Sequence, residues 1–456
     1  MHPWPPNGNP RLSLWLRVRR FAVPPSMIAT ATARRIAGDG AGACAAARVD
    51  VDLDLGRVAR DHGHRLAAQI RDDVRHLAPD LLRWHLPRTA PDGLLRAGLT
   101  VSLARYHRPG GGTLHLVART PPAWADGGQR FSLALWDGPR SGQRTHPHPR
   151  PDRRFRLDLH RHLWDVRRTG DLRTRSAVDP PPGGDQGDPD VVALRGHGYA
   201  VDRWVAEARI LLRADSRGHG PVAVRLGSRR HLLLDVAADD PAAPLIPPYA
   251  IGRGSPPPTL PVLPDAATWV QPDLDLLRTG LIEADQLHPL VASALAPDHR
   301  PADAQRATDV VPSSWTIACQ GAQHRIAPVD GVLVPLDHDP AEIRREELLA
   351  AFTGTPLPCL QAIDEAHRHP ECLDDVRARL DHGDVDGALA IVESLLGANA
   401  SLRDGPLREE LATAALRQVT YGLFRAGLVD RLCGPPARPD RRPRHHRTRP
   451  RHTIAR

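Results

Sequence analysis

Apolar positions across residues 57–86 recur at helical spacing. Leu66, Ile70, Val74, Leu77 and Leu81 form one stripe, which predicts a helix that Pro79 breaks or kinks. The period then shortens. Strand-like runs at 99–106 and 113–120 flank the turn signal Pro109-Gly110-Gly111-Gly112, and a third run at 130–136 alternates through Phe131, Leu133 and Leu135. This pattern predicts an antiparallel meander with one covered face. Residues 138–190 lose the pattern and are rich in Arg, His, Pro and Gly. They read as a flexible basic insert with one helix at 154–166, placing His146, His148, His160 and His162 in solvated loop. A helix is expected at 199–213. A hairpin follows, with Val222, Val224 and Leu226 on one strand and Leu232, Leu234 and Val236 on the other.

Nine prolines between 241 and 264 mark the best domain boundary, a semi-stiff linker over 241–272. Beyond it, 273–296 is helical up to the limit set by Pro289, and 313–336 reads as short strands turning at Asp330-Gly331. The helical signals then sharpen. Asp339, Pro340 and Glu342 have the spacing of an N-cap, a first-turn proline and a capping box, and Gly354 closes that helix. Further helices are predicted at 357–369, from 370 to Gly383, from Asp384 to Gly397, and over 406–426. The expected fold is α+β: an N-terminal helix and antiparallel sheet over 46–240, and a mostly helical acidic domain with short hairpins over 273–434. Disordered basic ends at 1–45 and 435–456 flank them.

The stretch LDHGDVDGALAIVESLLG resembles a helical hairpin of the tetratricopeptide kind, in one copy and with no repeat period, so the resemblance implies a local shape only.

Composition removes whole classes of chemistry. All 61 basic residues of the Lys+Arg count are arginine. A P-loop lysine, a kinase lysine and a Schiff-base lysine are therefore excluded. The bias fits a high-GC bacterial genome such as an actinobacterial one. The net charge of +8 is uneven: residues 1–38 carry +6 and 435–456 carry +7, leaving the body between them at −5. Nonspecific nucleic-acid binding through the basic ends, above all 435–456, is one expectation. Five scattered cysteines fit a reducing, cytoplasmic setting, and no apolar run reaches the length of a membrane span.

Asp364-Glu365-Ala366-His367 resembles motif II of DEAH-type helicases. That motif works with a P-loop lysine, which this chain lacks, and the helical spacing around it is wrong for a strand end. The neighbouring Cys359, His367, His369 and Cys372 have the ligand types of a zinc site, but Cys359 and His367 lie about 12 Å apart on one helix by rise alone. Asp337, His338 and His367 are the candidates for acid–base catalysis, with no Ser or Cys nucleophile motif beside them. No motif calls for an organic cofactor. The leading expectation is a non-catalytic protein-interaction or regulatory protein with a protein partner on 273–434. The alternative is a metal-dependent or His/Asp hydrolase built on 337–372.

Overall fold

The computed structural model describes residues 9–428 apart from 109–110, 139–145, 177–188, 228, 238–248, 300–314, 320, 330–331, 355 and 398–400. The basic tail at 435–456 lies outside them. The fold is mixed α and β, as the periodicities predict, and its apolar residues gather in three cores.

The first core begins earlier than the sequence suggests. Helix α1 (Pro10–Arg17), a π-helical turn at Val18–Ala22, α2 (Pro25–Ile36) and α3 (Gly40–Ala46) occupy most of the stretch expected to be disordered. Val18, Ala22 and Ala31 are fully buried. The arginines that interrupt the apolar run find partners across the fold: Arg11 reaches Asp275 and the carbonyl of Val270, and Arg20 reaches Asp375. The glycine-rich 38–42 opens α3, capped by Asp39, which accepts from Gly42 N at 2.7 Å.

After α3, strand β1 (Val49–Asp52) precedes three helices: α4 (Leu55–His62), α5 (His64–Arg75) and α6 (Pro79–His85). A short ribbon, β2 (Arg88–Thr89) and β3 (Leu94–Leu95), leads into β4 (Thr100–His107), β5 (Thr113–Arg119) and β6 (Phe131–Trp136). The last three form the expected meander. The sheet order β1-β6-β5-β4 makes it mixed, because β1 runs parallel to β6 with Val49 opposite Phe131. A four-residue strand carries too little alternation to announce that pairing.

The basic insert is corrected next. Its described part, 146–176, is packed. In place of one helix at 154–166 there are two 3₁₀ turns, Leu157–Leu159 and Arg161–Leu163, followed by α7 (Asp171–Arg175). Trp164 is fully buried, and so nearly are His160 and His162. Charge pairing explains the order: the buried Asp165 carboxylate accepts from Arg161 at 2.7 Å and Arg167 at 2.8 Å, and Arg167 also reaches Asp73 at 2.7 Å. Helices α8 (Pro189–Gly196) and α9 (Val201–Ala214) and the sheet β7 (Gly220–Leu226), β8 (Arg230–Val236) and β9 (Tyr249–Arg253) build the second core. Part of the proline-rich linker therefore becomes a third strand. It continues through the buried Val262 and Leu263 into α10 (Asp265–Thr268).

Helices α11 (Pro272–Arg278) and α12 (Pro289–Leu295) were assigned to the C-terminal domain by the linker boundary. Leu274, Leu276, Val291 and Leu295 instead join the first core. Apolar spacing shows which face is buried but not against what. The third core starts with β10 (Trp315–Cys319), β11 (Ala322–Val329) and β12 (Val332–Pro335), antiparallel in that order. Five helices follow close to the predicted bounds: α13 (Pro340–Thr353), α14 (Pro358–Arg368), α15 (Leu373–Asp381), α16 (Val385–Leu396) and α17 (Pro406–Arg425).

The third core is seated on the first sheet. Arg48 donates to the His382 carbonyl at 2.9 Å and to Asp384 at 3.2 Å, Tyr421 donates to Asp50, and Arg425 pairs with Asp52. Burial pushes the Asp50 carboxyl up, yet the hydrogen bonds from Arg130 and Tyr421 outweigh it and hold the group below the usual carboxylate range. Backbone meets backbone at Gly383, φ +80°, where a Cβ would lie 2.2 Å from the carbonyl oxygen of Gly128.

Because Val18 is core rather than leader, Val18→Asp should lower the midpoint of cooperative urea unfolding, with a loss of at least about 3 kcal/mol. A disordered leader would tolerate the change, and an unmoved midpoint by circular dichroism would show that.

Candidate metal centre

The β10–β11 register places Cys319 opposite Ala322 and Ile317 opposite His324, so Cys319 and His324 share one sheet face. Helix α14 lies against that face. Its stripe at Cys359, Ile363 and His367 follows the i, i+4 rule, and all three are buried. Between the two elements sits His338, in the turn that leaves β12 and enters α13. Its backbone position is set by Asp339, which caps α13 by accepting from Ala341 N at 2.9 Å.

Three chain segments thereby bring together Cys319 Sγ, Cys359 Sγ and a ring nitrogen of His338, all within 4.8 Å of one another and all buried. His338 Nε2 lies 3.6 Å from Cys359 Sγ. In a tetrahedral zinc site, bonds of about 2.3 Å to sulfur and about 2.0 Å to nitrogen put those ligand atoms about 3.6 Å apart. His338 Nδ1 lies 3.7 Å from Glu342 Oε2. That is the side from which a carboxylate orients a ligating imidazole and leaves Nε2 for the metal. The His324 ring stacks on His338 with centroids 4.0 Å apart and an 11° tilt, and its Nδ1 is buried without a hydrogen-bond partner. Burial, reinforced by the neighbouring Cys319, pushes the Cys359 thiol up to about 11.

Two readings of this cluster compete. Cys359, His338 and Glu342 also have the order of a nucleophile, a base and an orienting carboxylate. A catalytic thiol needs a lowered pKa and access for its substrate. Cys359 has a raised one and is fully buried. A divalent metal held there would resolve both features, because it would displace the thiol protons and two thiolates would neutralise its charge in a low-dielectric site.

The sequence candidates divide accordingly. Cys359 and His338 belong to the cluster. His367 is buried two turns further along α14, with its Nδ1 unpartnered, and His369 is exposed near Glu365. Cys372 is half-buried at the start of α15. The candidate set Cys359, His367, His369 and Cys372 does not converge, as the rise argument expects, because α14 runs unbroken from Pro358 to Arg368. Asp337 faces Arg325, which donates at 2.8 Å and holds its carboxyl down at about 2. Cys319 was missed. It is separated from His338 by 18 residues, a spacing that carries no signal until strand register folds it over. In the DEAH stretch, Asp364 is spent on Arg368 and Arg403, at 2.8 and 2.6 Å, on a helix rather than a strand end.

Comparison of the chain with protein-family models, with curated proteins and with solved structures found no match.

With a thiol pKa near 11, only roughly one Cys359 in a thousand is thiolate at pH 8. In metal-free folded protein, Cys359 should therefore resist iodoacetamide at pH 8 and be alkylated in denaturant, as read by mass spectrometry. Rapid labelling of the folded state would contradict this environment.

Proposed function

We propose that the protein binds a zinc-type divalent ion through Cys319, His338 and Cys359, and that the ion acts structurally in a non-catalytic interaction or regulatory protein. The observation that carries the metal reading is the convergence of three soft or borderline ligands from a strand, a turn and a helix at ligand–ligand spacing. Three protein ligands leave a fourth position to be filled, and the burial of all three favours a structural ion over a catalytic one, whose open position substrate must reach. Support for an interaction role comes from α13, which begins two residues after His338. Its Leu348 and Phe352, one turn apart, are 61% and 89% exposed. Monomeric proteins usually cover such side chains, and a metal that fixes His338 would fix the start of this helix. No helix among the described residues is long and apolar enough to cross a membrane. Nucleic-acid binding through 435–456 gains no support from the described residues.

Cobalt(II) titration of the reduced full-length protein tests the metal reading. One equivalent should bind with the intense visible bands of tetrahedral sulfur coordination, together with thiolate-to-cobalt charge transfer in the near ultraviolet. Cys319→Ser and Cys359→Ser should each remove the charge-transfer intensity or lower affinity by about 100-fold or more, and zinc should displace the cobalt. Octahedral cobalt spectra, or equal binding by both serine variants, would overturn it.

A further inference from the structure

A cavity of about 240 Å³ opens within the first core and the insert, far in sequence from the Cys/His cluster and sharing no residue with it. Its walls are mostly apolar and aromatic, including Trp15, Phe155 and Trp269. Such a cavity with a few placed polar groups is the usual form of a small-molecule site. The polar groups decide what it would take.

Five arginines line the cavity. Three of them are matched by carboxylates. Arg11 pairs with Asp275, Arg154 pairs with Asp265 at 2.7 Å, and Arg156 pairs with Asp158 and Asp215 at 2.8 and 2.9 Å. The other two are not. Arg88 donates only to backbone carbonyls, those of Gly93 and Arg83, and its Nε is buried without a partner. Burial pushes its guanidinium down to about 9, which leaves it charged at neutral pH. Arg96 stands at the exposed rim with its guanidinium 5.9 Å from the centre of the Phe155 ring and no carboxylate in ion-pair range among the described residues. The other polar residues of the wall are Gln271, His85 and Asp265, the last of which is taken by Arg154. His85 makes no hydrogen bond to a described residue, and burial drives its imidazole down to about 3, so it is neutral and offers one donor and one acceptor. A desolvated guanidinium without a counter-charge is costly, and an anion entering from solvent would offset that cost. The aromatic walls fit a flat hydrocarbon body.

We propose that this cavity binds a small aromatic carboxylate, with its carboxylate between Arg88 and Arg96 and its ring among Trp15, Phe155 and Trp269. The mostly apolar, aromatic walls give room to a flat hydrocarbon body beside the charged group, which favours an aromatic carboxylate over a bare phosphate.

Isothermal titration of the full-length protein with naphthalene-2-carboxylate and its neutral isostere 2-naphthamide tests this. The carboxylate should bind saturably and at least about tenfold more tightly than the amide, the difference expected of one charge-assisted contact. Arg96→Gln alters an exposed side chain and should keep the thermal unfolding midpoint. It should weaken the carboxylate about tenfold and leave the amide unchanged. Ala266→Phe, which fills the cavity from α10, should abolish binding of both. Equal affinity for the two ligands, no heat from either at millimolar concentration, or carboxylate binding that survives Arg96→Gln undiminished would overturn the proposal. Should Ala266→Phe fail to fold, Arg96→Gln alone decides.

Discussion

Arg83 holds the first core together. Its side chain is fully buried, its Nε donates to the Ala22 carbonyl at 3.0 Å, and its Nη1 donates to the Gln129 carbonyl at 2.7 Å. Its own carbonyl accepts from Arg88, and Gln129 Oε1 accepts from Leu95 N at 2.6 Å. One guanidinium thus joins the end of the N-terminal helical segment, α6 and the 127–129 loop. That loop is the surface on which α17 rests, since a Cβ on Gly127 would lie 2.2 Å from the Arg417 carbonyl oxygen. Buried carbonyls must be answered, and a rigid fork with five donors answers two at once where an ammonium would hold neither direction firmly. No carboxylate of the described residues pairs with it, so desolvation and the nearby Arg48, Arg88 and Arg130 hold the Arg83 pKa well below its ordinary value.

Not every buried polar group is answered, Arg83 Nη2 among them, and two places with open groups also have the make-up of a site. Cys319, His338 and Cys359 bring two thiols and an imidazole to ligand spacing, and the cavity wall carries Arg88 and Arg96 without a counter-charge among the described residues. A cation of soft-ligand preference would complete the first and an organic anion the second. The two sites share no residue, and each sits in a different core.

Local signals in the sequence were legible and long-range ones were not. Asp339, Asp384, Gly354 and Gly397 sit at the helix ends their chemistry implies, because capping involves residues only a few positions apart. The meander and the second hairpin followed from period-two alternation. The N-terminal helices were obscured by arginines whose partners, Asp275 and Asp375, are more than 250 residues away. Trp164 is buried in a stretch whose composition reads as solvent-exposed, because Asp165 and Asp73 neutralise its arginines through space. In the Cys/His cluster, proximity in sequence groups Cys359 with His367, His369 and Cys372 and groups His338 with Asp337 and His367, whereas strand register supplies Cys319.

A metal held by Cys319, His338 and Cys359 would tie β10, the start of α13 and α14 into one unit, and the third core contributes the side chains that secure it to the first sheet. Zinc K-edge X-ray absorption on the reduced full-length protein loaded with one equivalent of zinc reads that coordination directly. The predicted first shell has two sulfurs at about 2.3 Å with the remainder nitrogen or oxygen at about 2.0 Å. A shell of nitrogen and oxygen alone would contradict it.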